Sequence, residues 1–228
     1  MGIDVHTLYY LSATISVLLG LLLIYSWRFS RSVPALGLWG IGMALLGVGL
    51  ALIAARGSIH DILSIVVANA VISLAAAVIW SGTRVFDGKT VPRLMVVAGP
   101  VVWIAACALP AFYASINARA ILAFSILATY TFAGAFELWR GRALPLVTRW
   151  PAIVLLAFHG FLQLVRIALV IVAPLQEGLP GATSGWFAAV LYEAVLYEIA
   201  LAFAFFAMAR ERGGQRLVIA ERQAPQRR

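Results

Sequence analysis

The chain has 228 residues, 63% of them hydrophobic and 11% charged, with a net charge of +8 and a mean hydropathy of +0.98. Soluble domains carry roughly 25% charged residues, so a water-soluble globular fold is excluded and an integral membrane protein is expected. The basic residues sit at the ends of apolar runs and in the tail, which points to the lipid bilayer as partner and away from nucleic acid.

Seven apolar runs are each long enough to cross a hydrocarbon core of about 30 Å. The expected fold class is therefore all-α, a polytopic membrane protein with seven transmembrane helices over 1–209 and a short basic tail over 210–228. The first span is Leu8–Trp27. Met1–Thr7 before it lacks a basic region, so the run is expected to stay as a helix and not to be removed as a leader. Tyrosines at its start, and Tyr25 and Trp27 at its end, are interfacial anchors. In the second span, Ala35–Ala55, the residues Gly40, Ala44, Gly47, Ala51 and Ala55 recur at helical spacing. They make a flat face for close helix contact within the molecule. The short loop Arg56–Asp61 ends two helices.

The third span, Ile62–Gly82, carries Asn69 and, four residues on, Ser73. Asn69 is expected to hydrogen-bond a neighbouring helix, with ligand contact as the alternative. Asp87-Gly88 marks a turn in the loop that follows. The fourth span, Leu94–Tyr113, holds Pro100 and Pro110, which should bend its axis. Cys107, the only cysteine, falls in the same run. It excludes an intrachain disulfide and a cysteine metal cage, and reads as a buried, inert thiol. The fifth span, Ala118–Trp139, has Ser125 and Thr129 on one face, with Glu137 near the rim, where Arg140 or Arg142 is the expected partner.

The last two spans, Trp150–Pro174 and Trp186–Ala209, are the ones with ionisable residues deep inside. The first of them places His159, Gln163 and Arg166 at i, i+4 and i+7, on one helix face. The second has Glu193 and Glu198 with Tyr192 and Tyr197 beside them. A charge at membrane depth costs about 2.5–3.5 kcal/mol on insertion scales, so it faces a partner or a cavity. Arg166 lies about 12 Å below Pro174 and Glu193 about 10 Å below Trp186 at 1.5 Å per residue, so the two are expected to pair. Glu198 should lie nearer Gln163 and His159. The turn-rich loop Leu175–Gly185 stands above this region as a candidate lid. The candidate ligand-binding or polar-core residues are thus His159, Gln163, Arg166, Tyr192, Glu193, Tyr197, Glu198 and Asn69. A set of interhelical bonds, a pocket for an anionic or hydrogen-bonding small molecule, and a proton or ion path all remain open for them.

Fourteen of the seventeen Lys and Arg residues fall on one side of the predicted topology, and only Arg56 and Arg119 on the other. The basic side is cytoplasmic, which puts the N-terminus outside and the C-terminus in the cytoplasm. The arginine-rich tail, interrupted by Gly213-Gly214, suits anionic headgroups.

Several chemistries fail on residue inventory. A retinal pigment needs a lysine within the bundle, and the only lysine, Lys89, is in a loop. A bis-histidine haem needs two intramembrane histidines, and only His159 qualifies. His-Glu-x-x-His, Gly-x-Ser-x-Gly, a P-loop and a dinucleotide fingerprint are absent, and Asp4, Asp61 and Asp87 all lie in ends or loops. No catalytic residue, metal or cofactor is expected.

The stretches Leu38–Gly57 (LWGIGMALLGVGLALIAARG), Ser64–Lys89 (SIVVANAVISLAAAVIWSGTRVFDGK) and Tyr192–Arg212 (YEAVLYEIALAFAFFAMARER) are familiar in pattern. Through Trp39, Gly40, Gly47, Asn69, Gly82, Arg84 and Phe86 the chain resembles the N-terminal membrane region of bacterial GGDEF diguanylate cyclases. That resemblance implies a sensory input region in a bacterial inner membrane, joined by a helix to a cytoplasmic cyclase that makes cyclic di-GMP from two GTP molecules. After Ala209 no GGDEF or GGEEF signature occurs, and Gly213-Gly214 is followed by Gln215-Arg216. Only the input role is carried over, not the activity. The expected partners are a small-molecule stimulus and a cytoplasmic signalling protein or a second copy. The rival readings are a small-solute or ion transporter or channel, and a non-signalling scaffold or truncated cyclase gene product.

Overall fold

The computed structural model describes residues 5–29, 31, 33–141, 146–175 and 185–223, with side chains between residues 7 and 215. Among these, every regular element is a helix: α1 Val5–Phe29, α2 Pro34–Ala54, a π-helical segment Ile62–Val67 running into α3 Ala68–Phe86, α4 Arg93–Cys107, α5 Pro110–Ala114, α6 Ile116–Arg140, α7 Arg149–Val172 and α8 Gly185–Gln223. Six helices are long and apolar enough to cross a membrane: Thr7–Phe29, Pro34–Ala54, Ile62–Phe86, Ile116–Arg140, Arg149–Val172 and Trp186–Gln215.

The fourth expected span takes a different form. Pro110 has no N–H to donate and keeps the residue before it out of the helical region. Leu109 accordingly sits at φ −86°, ψ 115°, and the run divides into the 15-residue α4 and the 5-residue α5. Fifteen residues rise only about 22 Å. Pro100, by contrast, lies inside α4 without ending it. Cys107, at the end of α4, is half-buried and not enclosed as expected.

Small residues set the first three helices close together. A Cβ on Gly47 would lie 2.7 Å from the Ala13 carbonyl oxygen, and one on Gly20 would lie 2.6 Å from the Ala44 nitrogen. The expected small-residue face of α2 thus packs against α1 inside the molecule. A second face of α2, through Gly42 and Gly49, meets Ile79 and Ile72 of α3 at 2.5 Å on the same construction. Backbones this close gain van der Waals contact, the main attraction available between helices in lipid.

One half of the bundle is solid. Trp39 stacks on Phe205 at 4.0 Å and lies 5.4 Å from Phe86, with Met43, Leu138, Leu156 and Met208 buried around them. This core ends at a polar layer. Arg149 is 1% exposed; it grips Asp87 with both guanidinium nitrogens, at 2.8 and 3.1 Å, and donates to the Leu138 carbonyl at 3.0 Å. Glu137 pairs with Arg84 and with Lys89, the latter at 2.6 Å, and not with Arg140 or Arg142. It points at the end of α3, while Arg140 lies over the Phe136 ring and Arg142 lies outside the described residues. Gly88 turns the chain here with φ +73°. From α8, Glu211 accepts the amides of Val147 at 3.1 Å and Thr148 at 3.0 Å and the Thr148 hydroxyl, satisfying free N–H groups where α7 begins. At the opposite end Asn117 bonds both backbone groups of Leu175, at 2.8 and 3.2 Å. There Arg56 donates to the Ser64 carbonyl at 2.9 Å. Helices α3 and α6 therefore run in the same direction and α7 in the opposite one. Between them α4 runs against α3: Met95, near its start, accepts from Tyr130 of α6, and Trp103 donates to Val66 at the head of α3.

Helix α8 is 39 residues long, about 58 Å at 1.5 Å per residue. The expected interruption at Gly213-Gly214 does not occur; the helix continues through both glycines to Gln223.

Candidate functional site

The other half of the bundle is where α7 and α8 bring their polar residues together. The helical spacing of His159, Gln163 and Arg166 puts all three on the buried face of α7, at 7%, 1% and 5% exposure. Arg166 forms an ion pair with Glu193 of α8 through Nη2, and donates through Nη1 to Gln163 Oε1 at 3.0 Å. Gln163 Nε2 lies 2.9 Å from His159 Nε2, and His159 Nδ1 lies 3.1 Å from Glu193 Oε1. One assignment of hydrogens satisfies every contact: a neutral His159 with its proton on Nδ1, donating to Glu193 and accepting from Gln163. The network is closed, with one positive and one negative charge facing each other. Tyr197 stacks on the His159 ring at 3.7 Å with an interplanar angle of 2°, and the Arg166 guanidinium lies 5.9 Å from the Phe124 ring centre.

Three sequence-predicted residues take other roles. Glu198, 5% exposed, does not join His159 and Gln163; its carboxyl bonds Ser16 of α1. Ser16 also donates to the Ser12 carbonyl at 2.8 Å. A hydroxyl has one hydrogen, so both contacts hold at once when Glu198 carries a proton and gives it to Ser16. Tyr192 is 60% exposed on the outer face of the bundle and takes no part in the network. Neighbours in sequence are separated by about 100° around a helix, so Tyr192 points away from the face that Glu193 presents. Asn69 does not reach a neighbouring helix; it donates to the Ile65 carbonyl of its own helix at 2.9 Å and lines a cavity.

That cavity, about 190 Å³, lies between the helices on the side away from the aromatic core. Arg166, Glu198, Asn69 and Ser73 border it, together with Ser12, Arg56 and Arg119, which the polar-stripe reading did not reach. Leu46, Leu50, Ile72, Phe124 and Phe187 give it apolar walls. A signal for the missed members was present in the charge count. Arg56, Arg119 and Arg166 are the three basic residues outside the cytoplasmic tally, and all three border this one space. Burial is the largest influence lowering the Arg56 pKa from its usual value, and the charge of Arg119 acts in the same direction. A second cavity of about 60 Å³, lined by His159, Tyr197, Thr83 and Thr131 among others, lies towards the aromatic core and shares Leu46, Ile72 and Leu127 with the first. The candidate lid falls largely on residues 176–184, outside the described residues. No group of three or more metal-ligating side chains occurs among the described residues.

Compared with family models, curated proteins and solved structures, the chain matches none.

Proposed function

We propose that this chain is a membrane-embedded sensory input module, in which the state of the cavity sets the position of α8 and α8 carries that state to a cytoplasmic partner. The observation that carries the reading is the continuity of α8. Val190, Leu191, Ala194 and Glu198 form part of the cavity wall, and the same helix runs without a break to Gln223. A rigid helix transmits translation or rotation over its whole length, whereas a hinge at Gly213-Gly214 would have absorbed it. Seven crossings with an external N-terminus and a cytoplasmic C-terminus, in a bacterial inner membrane, belong to the same proposal. The charge count supports that orientation, and the direction of α4 supports a crossing made by α4 and α5 together. The resemblance to the membrane regions that precede diguanylate cyclases suggests the kind of output.

A diguanylate cyclase domain fused after Gln223 is therefore expected to give cyclic di-GMP levels that change when Ala123→Phe fills the cavity. Levels should change again when one residue is inserted after Ala209, which rotates everything beyond by about 100°. Output indifferent to both changes would make the bundle an anchor. The second cavity favours one other reading, a small-solute carrier, because it extends the open space towards the aromatic core. The packed layer of Trp39, Phe86 and Phe205 beyond it stands against a continuous path. Solute flux in proteoliposomes, abolished by Ala123→Phe, would replace the sensory reading with the carrier.

A further inference from the structure

The cavity has an excess of positive charge that the polar network does not consume. Arg166 is neutralised by Glu193. Arg56 and Arg119 make no ion pair among the described residues; their recorded hydrogen bonds go to backbone carbonyls, Ser64 for Arg56 and Tyr113 for Arg119. Two further donors are left over on residues that border the same space. Ser12 Oγ, on a side chain 2% exposed, and Arg56 Nε are both buried without a hydrogen-bond partner. A buried donor without a partner costs about 1–3 kcal/mol, and two arginines bordering one low-dielectric space repel each other. The repulsion is relieved by an occupant that carries negative charge and accepts hydrogen bonds. A cation is repelled, and a neutral alcohol leaves the charge unanswered.

Size and wall chemistry narrow the class. An apolar cavity of about 150 Å³ holds benzene, so about 190 Å³ takes a single ring or a short chain with its head group. Leu50, Ile72, Phe124 and Phe187 would be wasted on an inorganic anion, which has no apolar surface to bury. We propose that the cavity binds a small organic anion, a carboxylate or similar single-charge head on a short apolar body, with the head held by Arg56 and Arg119 and the body against the apolar walls. A planar carboxylate matches the guanidinium fork, which makes arginine the suited residue for both positions. The proposal rests on the sensory reading only in making occupancy the stimulus.

The test uses the full chain in nanodiscs of zwitterionic phosphatidylcholine, titrated calorimetrically with benzoate and hexanoate. Benzyl alcohol and benzylamine serve as neutral and cationic controls. Saturable binding of at least one anion is expected, with neither control binding. Arg56→Gln with Arg119→Gln should weaken it at least tenfold, and Arg56→Lys with Arg119→Lys should retain most of it; melting curves establish that both variants fold. Repeating the titration with phosphatidylglycerol in the disc separates two sources of the same chemistry. Weaker benzoate binding there identifies a lipid headgroup as a competitor, and unchanged binding points to a solute from outside. Absence of saturable anion binding, equal binding of benzyl alcohol, or undiminished binding by the Gln double variant would each overturn the proposal. Binding that leaves the output of the fused cyclase unchanged would instead refute the sensory reading and keep the site.

Discussion

Arg149→Ala is expected to be the most damaging single substitution where α7 begins, lowering the unfolding free energy by about 3–5 kcal/mol. The guanidinium is 1% exposed and holds both oxygens of Asp87 as well as the Leu138 carbonyl. Its removal leaves the Asp87 carboxylate, 5% exposed in the side chain, without its counter-charge. The cost comes from the charge left behind more than from the bond lost. The double variant Asp87→Asn with Arg149→Met, which removes both charges and keeps most of the volume, should therefore lose less than Arg149→Ala alone. Thermal unfolding in detergent measures both. A single variant as stable as the parent would show that water reaches Asp87.

Between α7 and α8 the same physics gives the second large effect. Arg166→Ala and Glu193→Ala should each lower the melting temperature, since each strands a charge and also breaks the chain of bonds through Gln163 and His159. Removing one partner of a buried pair costs about 3–5 kcal/mol. Because Glu193 is half-buried, with 27% of its side chain exposed, Arg166→Ala should sit at the lower end of that range. The double variant should lose less than the sum of the two. Additive losses would show that the pair contributes no coupling in the folded protein.

The Arg166–Glu193 contact was legible in the sequence because a helix converts residue count into depth: both lie close to the same distance below their helix ends. The partner of Glu198 was not. Ser16 is one of several hydroxyls on α1, and nothing in its local sequence says that α1 passes within reach of α8. Six long apolar spans were legible from hydropathy alone, whereas the division at Pro110 depended on where in the run the missing N–H fell. Asp87 and Arg149 stand beside helix ends, where no periodicity assigns a direction to a side chain. Arg149 reads there as one more cytoplasmic charge and is in fact buried against Asp87, the Leu138 carbonyl and the Phe86 ring. Tyr192 shows the opposite case: adjacency in sequence groups it with Glu193, although adjacent helical positions diverge. The cavity combines residues from helices far apart in the chain, and no single stretch carries the pattern of Arg56, Arg119 and Arg166.

The claim that the cavity and α8 move together is tested most directly by a distance between spin labels. In a Cys107→Ser background, labels at Phe29→Cys at the end of α1 and Arg210→Cys on α8 occupy exposed positions. The distance distribution in nanodiscs is expected to shift when Ala123→Phe fills the cavity, in keeping with helix displacements of about 1–2 Å in such transitions. An identical distribution, in a variant that still folds, would contradict the account, because a filled cavity that leaves α8 in place has nothing to transmit.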